Sequence, residues 1–430
     1  MSAPHAVGRP ASGPAGPEGD RHMAEDRHGD RDRHMAEDRH GDKDRHGDRD
    51  RHDDDRHMAE DRHRHGDRDR RDDDRRAEVR HAVDPAALSP GVVDELARCR
   101  ALVEPELRAR VAGMHAWPAE MAAYSFGWRE RDGSPRAGSS GKGVRQAVAV
   151  LCAEAAGASA RSAVDAAVVV ELVHTFSLLH DDIMDGDETR RRRPAAWKAY
   201  GTGPAVLAGD ALFALAFEVL ASSPGPHGGA AVRRLSRDLA DLVGGQAEDL
   251  LFEGRPWAGA GAVPAGAYLR MAEHKTGALL GCAAALGAVL AGAPAATVDA
   301  LSAAGRHLGV AFQAVDDVLG LWGDPAATGK PVHGDLRRRK KTLPVLAALA
   351  SDTPASRRLA ALLAVPGPLD GTALRRAAAL VEEAGGRRAA LAEARNRLDR
   401  ARAAVAGVPL AEEPAGRLLA LMPLVVGRVR

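Results

Sequence analysis

An apolar run from Ala167 to His180, interrupted by Glu171, ends in Asp181-Asp182-Ile183-Met184-Asp185. Its length and composition predict a core helix. Ionised carboxylates at the inner end of such a helix are costly to bury unless they are paired or bind metal. Asp181 and Asp185 are four apart, so a helix sets them on one face about a turn apart. A second acidic pair, Asp316-Asp317, closes another apolar run that begins at Gly309. One turn beyond Asp316 stands Gly320, which offers no ligand. Facing helices in a bundle point such ends into one cavity. Two such helix ends on one chain favour a fold that joins them around a polar space over the alternative of a surface pair.

The remainder of the body supports that fold. It is rich in Ala, Leu, Glu and Arg, the strong helix formers, and no long alternating Val/Ile/Thr pattern recurs. The expected fold is all-α, a single large helical bundle with a central cavity. Helices are predicted over 92–124, 143–156, 161–184, 204–221, 229–252, 265–291, 297–321, 340–350 and 372–405. Gly/Pro punctuation predicts loops at 131–140, 222–229, 254–261, 323–334 and 351–355. Residues 1–80 differ: they are a tail of Asp, Arg, His and Gly with almost no core-forming residues. The nonamer Asp-Arg-His-Met-Ala-Glu-Asp-Arg-His starts at Asp20, Asp32 and Asp55. Such a segment cannot offset chain entropy by burial, so disorder is expected there, with the folded domain over 81–430. Ten of eighteen histidines fall in the tail, which suits weak metal binding, a protein partner, or simply a linker.

Charge and cysteines exclude other classes. Lys plus Arg and Asp plus Glu both number 60, so no basic excess argues for nucleic acid. Cys99, Cys152 and Cys282 lack metal spacing, which fits a reducing cytoplasm. The N-terminus has no apolar signal core. The uncharged stretch 277–296 is long enough to span a bilayer, but its Ala/Gly composition and Pro294 favour a buried core helix, and no transmembrane segment is expected.

Cations follow the acids. Arg190 to Arg193 come directly after the first cluster. Acid for a hard ion beside base for phosphate suggests a diphosphate held through Mg2+. Gly141-Lys142-Gly143-Val144-Arg145 opens a helix after a Gly/Ser loop, an arrangement that suits an anion. Lys275-Thr276, Lys330 and the run Asp335 to Thr342 add further positive charge. By charge alone that last run also fits a nucleic-acid or membrane patch, although it lacks interleaved aromatics.

From about residue 95 to 430 these elements, in this order, resemble the trans-isoprenyl diphosphate synthases of the polyprenyl synthetase family, in the manner of actinobacterial geranylgeranyl/farnesyl-type enzymes. Asp181, Asp182 and Asp185 match the first aspartate-rich motif, followed by Arg190, Arg191 and Pro194. Gly141, Lys142 and Arg145 match the phosphate-binding element, and His174 the histidine before the first motif. Gly245, Gln246, Asp249 and Leu250, then Lys275 and Thr276, then Phe312 and Gln313 before Asp316 and Asp317, continue the series. Gly329, Lys330, Asp335, Leu336 and Lys340 close it. The departures are Gly320 for a third Asp, Gln146 where Pro is usual, and Arg192 where Gly is usual.

The resemblance implies an isoprenoid-synthase bundle, a homodimer, and condensation of isopentenyl diphosphate with an allylic diphosphate. Asp181, Asp185, Asp316 and Asp317 are the implied metal ligands for three Mg2+. Asp181, Asp182, Asp185, Arg190, Lys275 and Asp316 form the implied catalytic set. Substrate contacts fall to Lys142, Arg145, His174, Arg190, Arg191, Gln246, Lys275, Thr276, Phe312, Gln313, Lys330 and Lys340. Phe176 and Ser177 precede Asp181 by about one turn and are the expected chain-length residues. A large Phe176 with a small Ser177 suggests a geranylgeranyl product, with farnesyl next. The rivals are a class I terpene cyclase and a non-catalytic partner subunit, the latter favoured by Gly320.

Overall fold

The computed structural model describes residues 90–136, 141–325 and 332–426. All of them fall in one compact unit, Arg68–Arg430. The tail repeats and Lys330 lie outside the described residues, so the expectations attached to them do too.

The body is all-helical apart from one small hairpin. Helices α1 (Pro90–Ala112) and α2 (Ala116–Phe126) divide the segment predicted as one helix. The His115 ring caps α2 by accepting from Trp117 N at 3.3 Å. Then come α3 (Val144–Ala155), α4 (Val164–Met184), strands β1 (Thr189–Arg190) and β2 (Arg193–Pro194), α5 (Ala196–Tyr200), α6 (Thr202–Ala221) and α7 (Gly228–Glu253). Helix α8 (Ala265–Ala272) passes through a π-helical turn, Glu273–Gly277, into α9 (Ala278–Leu290). Helix α10 (Ala295–Trp322) is followed by α11 (Gly334–Arg337), α12 (Leu343–Leu349), α13 (Pro354–Ala364), α14 (Gly371–Glu383), α15 (Gly386–Ala406) and α16 (Glu412–Val426). The sequence pattern predicted neither α13 nor α16. Helix α13 opens on a capping box between Thr353 and Ser356 with Pro354 at its first position, a start signal inside a predicted loop. Helix α16 carries Pro423 in its interior, which reads as a breaker in sequence.

Packing, not propensity, makes α4 a helix. The consecutive Val168, Val169 and Val170 lose rotamer freedom in a helix, a cost of tenths of a kcal/mol each. All three are fully buried, and burying each side chain contributes roughly 1.5 kcal/mol or more. Helix α4 packs on α6 and α3; α9 packs on α3, α7 and α10, and α10 on α15. The stretch predicted as a buried core helix is α9, whose residues Ala278 to Ala288 are all buried. Two other segments, Ala160–Met184 and Thr202–Ala221, are long and apolar enough to cross a membrane, with 61% and 44% of their most apolar windows buried in the bundle.

The hairpin redistributes the arginine block. Arg190 pairs with Arg193 across the ladder, so Arg191 and Arg192 form a two-residue turn with φ of 52° and 63°. Such tight turns require positive φ at both central positions, which favours Gly. A non-glycine residue there costs about 1 kcal/mol. Arg192→Gly is therefore expected to raise the unfolding midpoint by roughly 1–3 °C, read by thermal melts, with turnover unchanged.

Candidate active site

A cavity of about 530 Å³ opens where α4, α10 and the turn after α8 converge. Asp181, Asp185 and Asp316 line it. Successive helix residues point about 100° apart, so the two members of each acidic pair meet different surroundings. Asp182 is buried and accepts from Arg190 Nε at 2.6 and 2.8 Å through its two oxygens. Asp182 is not among the residues that line this cavity; its contact is with Arg190, which does line it. Asp317 is likewise buried. It accepts from Tyr268 Oη at 2.6 Å, Leu343 N at 2.9 Å and Gln313 Nε2 at 2.9 Å. Asp317 borders the cavity, and its oxygens accept from these protein donors. Burial pushes its pKa up to about 7, against those three donors.

Cations face the acids. The π turn carries Lys275, whose Nζ pairs with Asp249. Burial opposes the charge of Lys275, but Asp249, Asp181 and Asp185 outweigh it and raise its pKa. Burial also drives Asp181 up to about 6, with Lys275 pulling down and Asp185 pushing up. A Cβ on Gly245 would meet His274 Cβ at 2.8 Å and overlap the backbone of Lys275, so only glycine lets α7 approach this turn. Thr276 donates to Gln313 Oε1 at 2.8 Å, and Gln313 donates onward to Asp317, tying the turn to α10. Lys340 Nζ reaches Asp185 Oδ2 at 2.8 Å, and Arg338 Nη1 reaches Asp187 Oδ1 at 2.6 Å.

The 335–342 run thus does not form a patch. Arg339 turns away to donate to the carbonyls of Leu363, Val365 and Gly367, and Lys341 donates to Glu253 O and stacks over Trp257.

The other end of the cavity is cationic. Lys142, Arg145, His174 and Arg191 line it. Arg145 Nη1 lies 3.2 Å from His174 Nε2. Arginine only donates, so Nε2 accepts and the ring proton sits on Nδ1. Burial, then Arg145 and Arg191, hold His174 well below its ordinary pKa, so it is neutral. Sequence reasoning missed Glu171, which shares this wall; burial raises its pKa, while Arg145 and the backbone N–H of Gln146 favour its charge. Tyr268 and Asp187 were missed too, whereas Arg338 belongs to the cationic run already noted. Only the tertiary contacts reveal Tyr268, since nothing in its local sequence marks it.

Leu178, Leu242, Leu279, Leu280, Phe312 and Leu424 supply apolar wall, and Gln246 and Ser177 also face the cavity. Phe176 does not. Its ring packs against Phe213 at 5.2 Å and His180 at 4.8 Å, on the α6 side of α4. Ser177 faces the open cavity, and Phe176 lies beside it in the aromatic stack.

The donor set fits a hard divalent ion that shares its shell with a ligand. Asp185 Oδ1 is buried with no hydrogen-bond partner, a costly state that a cation would relieve. Among the described residues no three carboxylate, imidazole or thiol groups already converge on one point. Protein oxygens alone make no cage here, as suits Mg2+ completed by phosphate and water.

Residues 136–381 match the polyprenyl synthetase family model. The chain is similar to two Mycobacterium tuberculosis proteins. One, a (2E,6E)-farnesyl diphosphate synthase, is 46% identical over 331 residues, covering 76% of this chain and 90% of that one. The other, a geranylgeranyl diphosphate synthase, is 47% identical over 315 residues, covering 73% and 88%. A polyprenyl synthetase structure from Streptomyces coelicolor A3(2) superposes with a TM-score of 0.73 at 46% identity, covering 78% of this chain and 99% of that one. A geranylgeranyl pyrophosphate synthase from Corynebacterium glutamicum, complexed with calcium and isoprenyl diphosphate, has a TM-score of 0.64 at 29% identity, with coverage of 79% and 98%.

Proposed function

Because this chain belongs to the polyprenyl synthetase family, we propose that it joins isopentenyl diphosphate head to tail to an allylic diphosphate and releases geranylgeranyl diphosphate. It is a prenyltransferase. The observation that carries the reading is one cavity lined both by carboxylates, Asp181, Asp185 and Asp316, and by the cations Lys142, Arg145 and Arg191. Two diphosphates need metal ligands and a separate set of cations, whereas a terpene cyclase needs a site for one.

In this reading Asp181, Asp185 and Asp316 would hold Mg2+, three ions by the resemblance, together with the allylic diphosphate. The metal would supply charge neutralisation for the departing diphosphate. Lys275 and Lys340 now rest on Asp249 and Asp185 and exchange those partners for phosphate oxygens. Arg190, fixed by Asp182, adds charge at the same end. Lys142, Arg145 and Arg191 grip isopentenyl diphosphate, and neutral His174 keeps the Arg145 fork aimed. The allylic C–O bond breaks and its electron pair leaves with diphosphate. The isopentenyl double bond forms the new carbon–carbon bond, and the lost proton passes to that diphosphate. The leucine wall and Phe312 exclude water from the cation.

Ser177 supports a tunnel that continues beside α4 towards the Phe176, Phe213 and Phe217 stack. Exposed Val206 and Leu207 on α6, with Val243, Leu250 and Leu251 on α7, support a homodimer through these helices. Free, buried cysteines suit a cytoplasmic setting.

The test is incubation of purified protein with isopentenyl diphosphate, Mg2+ and dimethylallyl, geranyl or farnesyl diphosphate, with products sized by mass spectrometry. A C20 product is expected, and Ser177→Phe is expected to shorten it by one or two isoprene units. Absence of elongation from every primer would sink the reading. An unchanged product from Ser177→Phe would remove that residue from the tunnel.

A further inference from the structure

Lys142 stands between two glycines that both take positive φ, Gly141 at 122° and Gly143 at 68°. Glycine leaves such a segment free to move, so local geometry does not fix where Lys142 points. A contact from α1 supplies what the loop lacks. Arg100 Nη2 donates to Gly141 O, and a Cβ built on Gly143 would meet the same nitrogen at 3.5 Å. One guanidinium therefore lies against both glycines that flank Lys142. The buried Gln146 closes another side, its Nε2 2.5 Å from where that Cβ would sit. The base of Arg100 is itself held. Arg98 donates to both oxygens of Glu154 on α3, at 3.1 and 2.6 Å, and Cys99 between the two arginines is fully buried. Gly143 opens α3, so α1 grips the helix and its leading loop together. Arg100 is not among the residues that line the cavity. It stands behind the wall, near Glu171: burial disfavours that carboxylate's charge, whereas Arg145, the Gln146 N–H, Arg191 and Arg100 favour it. Arg100 also lies outside the span 136–381 that matches the family model.

We infer that Arg100 is a positioning residue for isopentenyl diphosphate: from outside the cavity it holds the loop of Gly141 to Gly143, so that Lys142 is in place before the diphosphate arrives. The inference rests on the two-substrate reading above and deepens it. A flexible loop has to be ordered on binding, which weakens affinity, and a donor that orders it beforehand removes that loss. The effect falls on one substrate, because Asp181, Asp185 and Asp316 stand at the ends of α4 and α10 rather than on this loop.

The test uses full-length protein, steady-state kinetics, and calorimetric titration with isopentenyl diphosphate in the absence of metal. Arg100→Gln is expected to raise Kd and KM for isopentenyl diphosphate roughly tenfold, with kcat and the allylic KM within about twofold. Amide exchange over 141–146 is expected to quicken, while the unfolding midpoint and exchange elsewhere stay as in the wild type. Arg100→Lys keeps a charged donor without the fork and is expected to recover part of the loss. Should Arg100→Gln not fold, Arg100→Met, which keeps the apolar stem, serves in its place. Wild-type affinity for isopentenyl diphosphate without Arg100 would overturn the inference. So would an equal loss for both substrates, which marks general damage. Weaker binding with unchanged amide exchange would overturn it too, making Arg100 a direct ligand. No binding of isopentenyl diphosphate by the wild type would defeat the two-substrate reading itself and this inference with it.

Discussion

Asp181→Asn is expected to cut turnover by roughly a thousandfold or more while leaving the protein folded. Asp181 faces the cavity from the last turn of α4 and is flanked by Lys275, Asp185 and Arg190. Asparagine keeps its shape but loses the charge proposed to hold metal against the departing diphosphate. Stability is expected to move the other way. Burial first, and Asp185 after it, hold the Asp181 pKa near 6, above its ordinary 3.8. A raised folded-state pKa means that the stabilising proton is lost as pH rises through about 6. At neutral pH the ionised carboxylate therefore costs the metal-free protein, and Asn removes that cost. Thermal melts without metal should show a midpoint equal to or a few degrees above wild type, beside near-complete loss of product in the prenyl transfer assay. Turnover within tenfold of wild type would take Asp181 out of the proposed chemistry.

Asp316 and Asp317 are neighbours with opposite expected phenotypes. Asp316→Asn is expected to lose activity by roughly a hundredfold or more, since Asp316 lines the cavity and is proposed to hold metal, with a smaller loss of midpoint than Asp317→Leu. Asp317→Leu is expected to fail in stability. It strands Tyr268 Oη, Leu343 N and one Gln313 N–H, all of which now donate to that carboxylate. Each buried group left unsatisfied costs about 1–3 kcal/mol, so a total on the order of 3 kcal/mol or more follows. In a domain of this size that lowers the midpoint by roughly 5–10 °C. Parallel melting curves and assays separate the two. A stable but inactive Asp317→Leu would place Asp317 in the metal-binding set.

The same alternation explains what could be read beforehand. Apolar runs ending in Asp181 and Asp316 announce buried helices with a shared polar destination, because burying unpaired carboxylates is too costly for any other arrangement. Spacing along one helix puts Asp181 and Asp185 on one face. It does not say which member of Asp181-Asp182 faces inward, because that depends on how α4 is rotated against α3 and α6. For Phe176, that rotation turns the ring towards Phe213 and leaves the cavity to Ser177. The block Arg190 to Arg193 reads in sequence as one charge. A two-residue turn sends Arg190 to Asp182, Arg191 to the cavity and Arg193 over the Tyr124 ring.

What the sequence determined alone was the class of molecule: an all-helical bundle, two acidic helix ends, cations in the order the polyprenyl synthetases carry them. These are properties of period, composition and local spacing. Only the tertiary structure decided that Asp182 meets Arg190 and Asp317 meets Gln313, that a π turn carries Lys275, that Glu171 stands among the arginines, and that Asp335 fills the space beside Gly320. Each of these depends on contact between segments far apart in the chain. Such contacts are set by how helices rotate and pack, and no local pattern encodes that rotation.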